Sequence, residues 1–301
     1  MIKLNEILGV KYPIILAPMF LVTDVFMVKC ALDNGISAAI PAMNFRNPED
    51  LTKAIEEIKN HADKAFGVNL IANRSNIKLE QQLEACLQNP PAFIITSLGN
   101  PKEIIKRAHA KGVKVFCDVT DLKYAQKVEQ VGADALIAVN KMAGGHAGSV
   151  DRDVLLQNLI SNCKIPVINA GGVASSKDLI DILEIGAAGA SIGTLFVASK
   201  ESPVSDSYKQ ALINYGKNDI VLTRKLSGAP TSVINTDYVK QIGTKPSFLE
   251  WLVLRNSRVK KLAKSIITKR GQNKLLNAAF KTTYKTVWVA SPSIENIQEI
   301  R

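Results

Sequence analysis

Three glycine clusters and one histidine are the residues best suited to chemistry in this chain of 301 residues. The clusters span Ala143–Gly148, Ala170–Gly172 and Gly193–Thr194, and each closely follows a short apolar segment. Glycine allows the backbone to approach a ligand closely and to turn its N–H groups toward an anion. The last two clusters therefore predict a phosphate site, although the same glycines could simply close tight turns. The predicted phosphate ligands are the backbones of Gly171, Gly172, Ser191, Ile192 and Gly193, and the hydroxyl of Thr194.

His146 lies between two glycine pairs in the first cluster. An imidazole titrates near pH 6.5, so it can act as a base or as a hydrogen-bond donor around neutrality. The other two histidines, His61 and His109, fall on polar faces of predicted helices, where we expect them to be solvated. No second His, Cys or carboxylate stands at ligand spacing from His146, so no metal site is predicted. His146 is therefore the candidate catalytic residue, and the alternative is a histidine that caps a turn.

Eight short apolar segments alternate with amphipathic ones from Pro13 to about Tyr215. Nearly continuous apolar runs are typical of strands buried on both faces, and so of a parallel sheet. Eight such β-then-α units in about 200 residues favour a TIM (β/α)8 barrel. A doubly wound sheet would ordinarily carry phosphate-binding glycines after its first strand, and residues 16–19 contain none. The predicted strands are Pro13–Met19, Ile36–Ile40, Ala65–Ile71, Ala92–Ser97, Val113–Val119, Asp134–Val139, Pro166–Ala170 and Gly189–Gly193.

The helices between these strands have recognisable ends. Asn47 and Asn100 each precede a proline, which predicts a capping residue followed by the first helical turn. Gly112 and Gly132 stand where helices should stop. In a TIM barrel the residues after the C-terminal ends of the strands form the active site, so the glycine clusters and His146 should meet at one end of the barrel.

The composition is that of a globular protein, with 47% hydrophobic and 22% charged residues. No stretch approaches the roughly 18 uninterrupted apolar residues of a membrane-spanning helix, which argues against an integral membrane protein. The first nine residues lack the apolar core of a secretory signal. The four cysteines lie far apart and are expected to be reduced structural thiols, so a cytoplasmic location is predicted.

The net charge of +11 is local. Between Arg255 and Lys285 there are ten basic residues and no acidic ones, whereas the remainder has 28 basic residues against 27 acidic ones. Apolar residues recur within this segment, which favours an amphipathic helix packed on the barrel. A surface for nucleic acid or an anionic membrane is the alternative. We expect residues 1–215 to form the barrel and residues 216–301 to form a C-terminal extension packed on it.

Five segments, in order, resemble the motif series of the nitronate monooxygenases, also called 2-nitropropane dioxygenases. The G-G-H-x-G element around His146 is the specific part of the series. The resemblance implies a TIM barrel that binds FMN non-covalently and oxidises alkyl nitronates with molecular oxygen. The segments are Leu16–Met19, Gly67–Leu70, Ala143–Gly148, Ala170–Val173 and Ile192–Phe196.

The resemblance also implies roles for single residues. Asn69 would contact the flavin ring with Gly144 beside it, and His146 matches the active-site histidine of the family. Many relatives have an acidic residue where this chain has Met142, which bears on the substrate. The backbone of Ala17, Pro18 and Met19 would also contact the ring, and Gly172, Gly193 and Thr194 would hold the phosphate.

The FMN-dependent enoyl-acyl-carrier-protein reductases share much of this motif series. An FMN enzyme that reduces an acyl thioester with NAD(P)H is therefore the alternative function. In either case the expected partners are a small molecule and, for nitronate oxidation, O2. Neither a membrane nor nucleic acid is expected as a partner, and a homo-oligomer is compatible with the sequence.

Overall fold

The computed structural model describes residues 2–63, 65–73, 76–225, 230–245 and 287–300. The basic segment from Arg255 to Lys285 lies outside these residues, so its amphipathic helix stays a prediction.

Eight parallel strands close into a barrel in the order β1, β2, β3, β4, β5, β6, β8, β9, and β9 pairs with β1. Each of the eight predicted apolar segments overlaps one of these strands, so the predicted TIM barrel is confirmed. Three further strands form a small sheet in the order β10, β11, β7. The strands are β1 Ile14–Leu16, β2 Ser37–Pro41, β3 Phe66–Ile71, β4 Phe93–Ser97, β5 Lys114–Val119, β6 Ala135–Val139, β7 Gly145–His146, β8 Val167–Ala170, β9 Gly189–Ile192, β10 Ile220–Thr223 and β11 Thr231–Ile234.

Eleven α-helices are described, most of them between consecutive barrel strands. None of them is long and apolar enough to cross a membrane. They are α1 Leu4–Leu8, α2 Val25–Asp33, α3 Pro48–His61, α4 Leu79–Gln88, α5 Lys102–His109, α6 Leu122–Gln130, α7 Arg152–Asn162, α8 Ser176–Ile185, α9 Thr194–Val197, α10 Asp206–Asn214 and α11 Asp237–Ile242. Three short 3-10 helices cover Ala42–Asn44, Lys217–Asp219 and Pro292–Asn296.

The predicted helix ends follow from local capping. The Asn47 side chain accepts a hydrogen bond from the Asp50 N–H at 2.8 Å and starts α3. Asn100 instead accepts from the Lys102 N–H, and α5 starts at Lys102, one residue later than the α3 pattern would place it. Gly112 and Gly132 follow α5 and α6 at φ angles of 72° and 99°, a region that suits glycine.

Two side-chain layers form the core, one inside the barrel and one between strands and helices. Phe93 and Phe116 fill the interior and stack with ring centroids 4.8 Å apart. Gly67 makes room for them, because a Cβ there would lie 2.3 Å from Phe93 Cε2. Side chains alternate along a strand, so the residues two places beyond, such as Asp118 after Phe116, face inward nearer the barrel mouth.

The small sheet joins the C-terminal part of the chain to the barrel mouth. Thr231 on β11 pairs with His146 on β7, and Val233 forms a bridge with Val289. Trp288 stacks on Tyr208 of α10 with centroids 5.7 Å apart, and the Tyr208 hydroxyl donates to the Val289 carbonyl. His146, expected in an irregular loop, therefore lies in a short strand because β11 supplies a partner for its backbone.

The two histidines expected to be simply solvated each contact a carboxylate. His61 Nε2 lies 3.0 Å from Asp33, and His109 Nε2 lies 2.8 Å from Asp134. Both pairs lie where helices end and the next barrel strands begin, at the opposite end of the strands from the glycine clusters. Neither histidine therefore competes with His146 as a site residue.

Candidate active site

The loop after β1 packs against the end of β9. Ala17 N–H donates to the Ile192 carbonyl at 2.8 Å, and Thr23 Oγ1 donates to the Ala17 carbonyl at 2.7 Å. A Cβ on Gly193 would lie 3.3 Å from Met19 Sδ and 3.6 Å from Ala17 Cβ. The predicted site residues that follow β1 and β9 are thus neighbours, and the missing side chain of Gly193 leaves space beside Ala17 and Met19.

Two buried asparagines tie the loop after β6 to the loop after β8. Asn140 Nδ2 donates to Asn169 Oδ1 at 3.0 Å and to the Gly171 carbonyl at 3.1 Å, and both side chains are fully buried. Gly171 has a φ of 109°, and a Cβ on it would lie 2.5 Å from the Ala143 nitrogen. Only glycine fits there, so the close approach of these two loops requires Gly171.

The glycine loops hold backbone donors that no described residue uses. Among the described residues, nothing accepts a hydrogen bond from the N–H groups of Gly172 or Gly193, whereas the register of β8 and β9 directs the Gly171 N–H at the Ser191 carbonyl. At the start of α8, by contrast, Asp178 already accepts from the N–H groups of Ala174 and Ser175. The unused donors are therefore the glycine N–H groups, which is the arrangement that an anionic group requires.

Thr194 connects the mouth to the C-terminal segment. Its side chain is buried, and its Oγ1 accepts a hydrogen bond from the Ser291 N–H at 3.1 Å. The hydroxyl hydrogen remains available to a ligand, because a hydroxyl both accepts and donates. A Cβ on Gly144 would lie only 2.8 Å from this oxygen, so Gly144 also adjoins the site.

Arg152, at the start of α7, brings a positive charge to the glycine loops. Its Nη1 donates to the Gly172 carbonyl at 3.3 Å, and its Nε contacts Asp153 at 2.7 Å. A Cβ on Gly172 would lie 3.4 Å from Arg152 Cδ. The unused N–H groups, the Thr194 hydroxyl and this guanidinium form a set of donors that suits a phosphate group.

Across the barrel, Asn69, Ser97 and Asp118 form a hydrogen-bonded row over β3, β4 and β5. Asn69 Nδ2 donates to Ser97 Oγ at 2.8 Å, and Ser97 Oγ donates to Asp118 Oδ2 at 2.5 Å. Burial raises the pKa of Asp118 to about 6, although the Ser97 hydrogen bond opposes that rise. This row fixes the amide of Asn69 and places an ionisable group in the mouth.

His146 has an imidazole that is neutral near pH 7. His146 is exposed in the short strand β7, yet the protein around its ring desolvates it enough to lower the pKa of His146 from its ordinary value near 6.5. The neighbouring Gly145 pairs with Ser232, and a Cβ on Gly145 would lie 3.7 Å from Val289 Cγ1. The C-terminal segment thus shapes the surroundings of the histidine.

Contacts within the mouth join most of the predicted site residues. Ala17, Met19 and Gly193 are in contact, as are Gly144 and Thr194, while Pro18 lies between the first two in the chain. Ser191 shares the inward register of Gly193. Ile192 packs in the outer core, so only its backbone is available to the site.

Sequence reasoning missed several residues of the mouth. They share one signal, a polar residue at the end of an apolar strand or at a helix start, but that signal does not reveal which side chains meet. Asn140 and Arg152 beside the glycine loops were not predicted, whereas Ser97, Asp118 and Asn169 stand at strand ends that were expected to line the active site but were given no side-chain role there.

The closed barrel, with glycine loops suited to a phosphate and a neutral imidazole at the same end, defines a cofactor-binding TIM-barrel enzyme. The family model described as nitronate monooxygenase matches residues 72–282, more than half of the chain. The chain therefore belongs to the nitronate monooxygenase family, and it is a flavin-dependent oxidoreductase.

Individual relatives differ in the reactions for which they are named. A (3aS,4S,5R,7aS)-5-hydroxy-7a-methyl-1-oxo-octahydro-1H-indene-4-carboxyl-CoA dehydrogenase from Rhodococcus jostii (strain RHA1) is 33% identical over 239 residues, which cover 79% of this chain and 67% of the relative. A nitronate monooxygenase from Paraburkholderia phytofirmans is 27% identical over 75% of this chain and 74% of the relative. The structure of FabK from Thermotoga maritima superposes with a TM-score of 0.83 and 26% identity, covering 99% of this chain and 91% of that one.

Proposed function

We propose that this enzyme binds FMN and oxidises alkyl nitronates with molecular oxygen, with His146 orienting or deprotonating the substrate over the flavin. The observation that carries the proposal is the mouth itself, where unused glycine N–H groups and a neutral histidine occur at the same end of the barrel. The family membership supports the same reaction.

In this proposal the phosphate of FMN lies between the two glycine loops. Gly172 and Gly193 would donate backbone N–H groups, Thr194 its hydroxyl and Arg152 its guanidinium, while Gly171 would allow the two loops to approach the ligand closely. The ring would extend toward Asn69, whose Oδ1 accepts no hydrogen bond from a described residue. When bound, the flavin supplies the electron transfer between the substrate carbon and oxygen.

His146 would serve two kinds of substrate. Because its pKa is below 6.5, the ring is mostly neutral at pH 7 and can accept the proton of a neutral nitroalkane. Toward a nitronate, which has already lost that proton, the ring N–H can only donate a hydrogen bond. We therefore propose binding and orientation as the main role and proton abstraction as a secondary one.

The decisive experiment combines the visible spectrum of the purified protein with oxygen consumption. Flavin absorbance, released FMN on denaturation and O2 uptake with the nitronate of 2-nitropropane are the expected results. Colourless protein that neither takes up FMN nor consumes oxygen would contradict the proposal. NAD(P)H should not be required for turnover.

A second candidate is an oxidoreductase that acts on an acyl thioester. The relative that is 33% identical is named as a carboxyl-CoA dehydrogenase, whereas the nitronate monooxygenase relative is 27% identical. Such an enzyme would either use electrons from NAD(P)H to reduce an enoyl thioester or pass electrons from a CoA thioester to an oxidised acceptor. Rapid NADH or NADPH oxidation with an enoyl thioester, without O2 uptake on nitronates, would favour it.

A further inference from the structure

Asp118 places a carboxyl group in the mouth of the barrel. Phe116, two residues earlier on β5, lies in the barrel interior, so strand alternation turns Asp118 inward as well. Ile95 and Ser97 stand in the same relation on β4. Both polar side chains therefore form the layer immediately above the apolar interior, at the end where the glycine loops lie.

Among the described residues, only one oxygen of this carboxyl has a hydrogen-bond partner. Ser97 Oγ donates to Oδ2 at 2.5 Å and is itself the acceptor for Asn69 Nδ2 at 2.8 Å. Oδ1 of Asp118 accepts no hydrogen bond from the described residues, yet it is not among the buried atoms that lack a partner, so solvent reaches it. Oδ1 is thus presented to the space that a ligand would occupy.

The described residues provide no positive charge for this carboxyl. No Lys, Arg or His among them lies within 4.0 Å of Asp118. The neighbouring titratable groups are Cys117 on the same strand and Tyr124 on α6, and burial raises the pKa of both, so both are neutral near pH 7. Asp134, which also acts on Cys117, lies at the opposite end of the strands.

We propose that Asp118 is a specificity-determining residue that admits an anionic substrate to the mouth only when its free oxygen carries a proton. A protonated Oδ1 would donate a hydrogen bond to the anion, whereas an ionised one would repel it at close range. The identity of the anion as a nitronate rests on the proposed function. The raised pKa of about 6 makes both forms available near neutral pH.

Nitrate is a suitable probe, because it is planar, carries its charge on oxygens bonded to nitrogen and stays anionic at all relevant pH values. Its affinity for the purified enzyme can be measured by calorimetry between pH 5.5 and pH 8, independently of turnover. If only the protonated carboxyl accepts the anion, the dissociation constant should rise by at least about tenfold over this range. Flavin content, measured separately by absorbance, tests the proposed function.

Two variants assign the pH dependence to its source. Asp118→Asn cannot ionise and should bind nitrate with an affinity that changes much less above pH 6. Asp121→Asn is the matched control, because it removes the same charge from the N-cap of α6 three residues away and asparagine still caps a helix. This control should show the same change of nitrate affinity with pH as the wild type. Asp118→Ala is a second neutral variant, which replaces Asp118→Asn if the amide disturbs folding. Its affinity for nitrate should also change much less above pH 6.

His146 also loses a positive charge as the pH rises, so its contribution must be removed. His146→Asn should retain the part of the pH dependence of nitrate affinity that the titration of Asp118 causes. The proposal is overturned if Asp118→Asn and Asp118→Ala keep the wild-type pH dependence, if His146→Asn abolishes that dependence, or if nitrate does not bind the wild type at pH 5.5.

Discussion

Thr231 pairs with His146 across an antiparallel ladder, so the backbone of the candidate catalytic histidine is held by a strand from the C-terminal part of the chain. The same region reaches the glycine loops through Ser291, whose N–H donates to Thr194. The barrel therefore supplies the strand ends of the site, and the C-terminal region completes its rim. The described part of this region is thus a structural component of the mouth.

Gly193→Val should abolish FMN binding and leave the protein folded. Gly193 has a φ of −112°, which any residue can adopt, but a side chain there would point at Met19 and Ala17 and fill the mouth. Gly216→Val is the control, because Gly216 also has an ordinary φ, of −109°, and its nearest neighbour would be 4.0 Å away. Flavin absorbance per folded chain measures the effect. Full occupancy in Gly193→Val would refute the site.

A substitution at Gly172 would not separate loss of FMN binding from loss of stability. Its φ of 76° makes any side chain strained, and a Cβ would lie 3.2 Å from Met142 Cβ. Gly172→Val should therefore lose both FMN and stability, and the loss of flavin alone could not be attributed to the ligand.

His146→Asn should retain FMN and lose activity on neutral nitroalkanes by about 10²–10⁴-fold, the usual contribution of general acid–base catalysis. It should keep part of its activity on nitronates, which need no proton removed. In the wild type, activity on neutral nitroalkanes should increase with pH and level off at a lower pH than an ordinary histidine base would give, since the base must be deprotonated and its pKa is lowered. His109→Asn is the distant control. If His146→Asn keeps the wild-type rates on both substrate forms, His146 has only a structural role in its turn and the catalytic assignment is wrong.

Arg152→Gln should weaken FMN binding by roughly tenfold to a hundredfold, as expected for the loss of a charge-assisted hydrogen bond to a phosphate. Riboflavin, which lacks the phosphate, should bind the variant and the wild type equally. Arg107→Gln serves as the control, because Arg107 pairs with Glu80 and Glu84 on the outer helices. Equal losses for riboflavin and FMN would place the effect elsewhere in the fold.

Asp118 should make stability depend on pH in a direction unusual for a carboxyl group. Its pKa is raised from 3.8 to about 6 by folding, so its contribution is fully present below pH 4 and is lost as the pH rises to 6. Relative to Asp118→Asn, the wild type should lose roughly 1–3 kcal/mol of unfolding free energy over that interval. Denaturant titrations at pH 4 and pH 7 measure this difference. A constant difference between the two proteins would show that Asp118 does not titrate in this range.

The barrel was predictable because its signals are local. Each strand is a short apolar run, and helix ends are marked by residues such as Asn47 and Gly112, whose effects extend over one turn. The glycine clusters could be assigned to one end of the barrel for the same reason, since parallel strands bring all their C-terminal ends together.

The sequence by itself thus determined the fold, and it predicted the end of the barrel, the glycines and the histidine of the candidate site. Only the tertiary structure decided which distant side chains meet there. Asn140 with Asn169, Ser97 with Asp118 and Arg152 with Gly172 are contacts between separate elements, and no local periodicity encodes them. The strand environment of His146 has the same origin, because a two-residue strand forms only when β11 supplies the hydrogen-bonding partner.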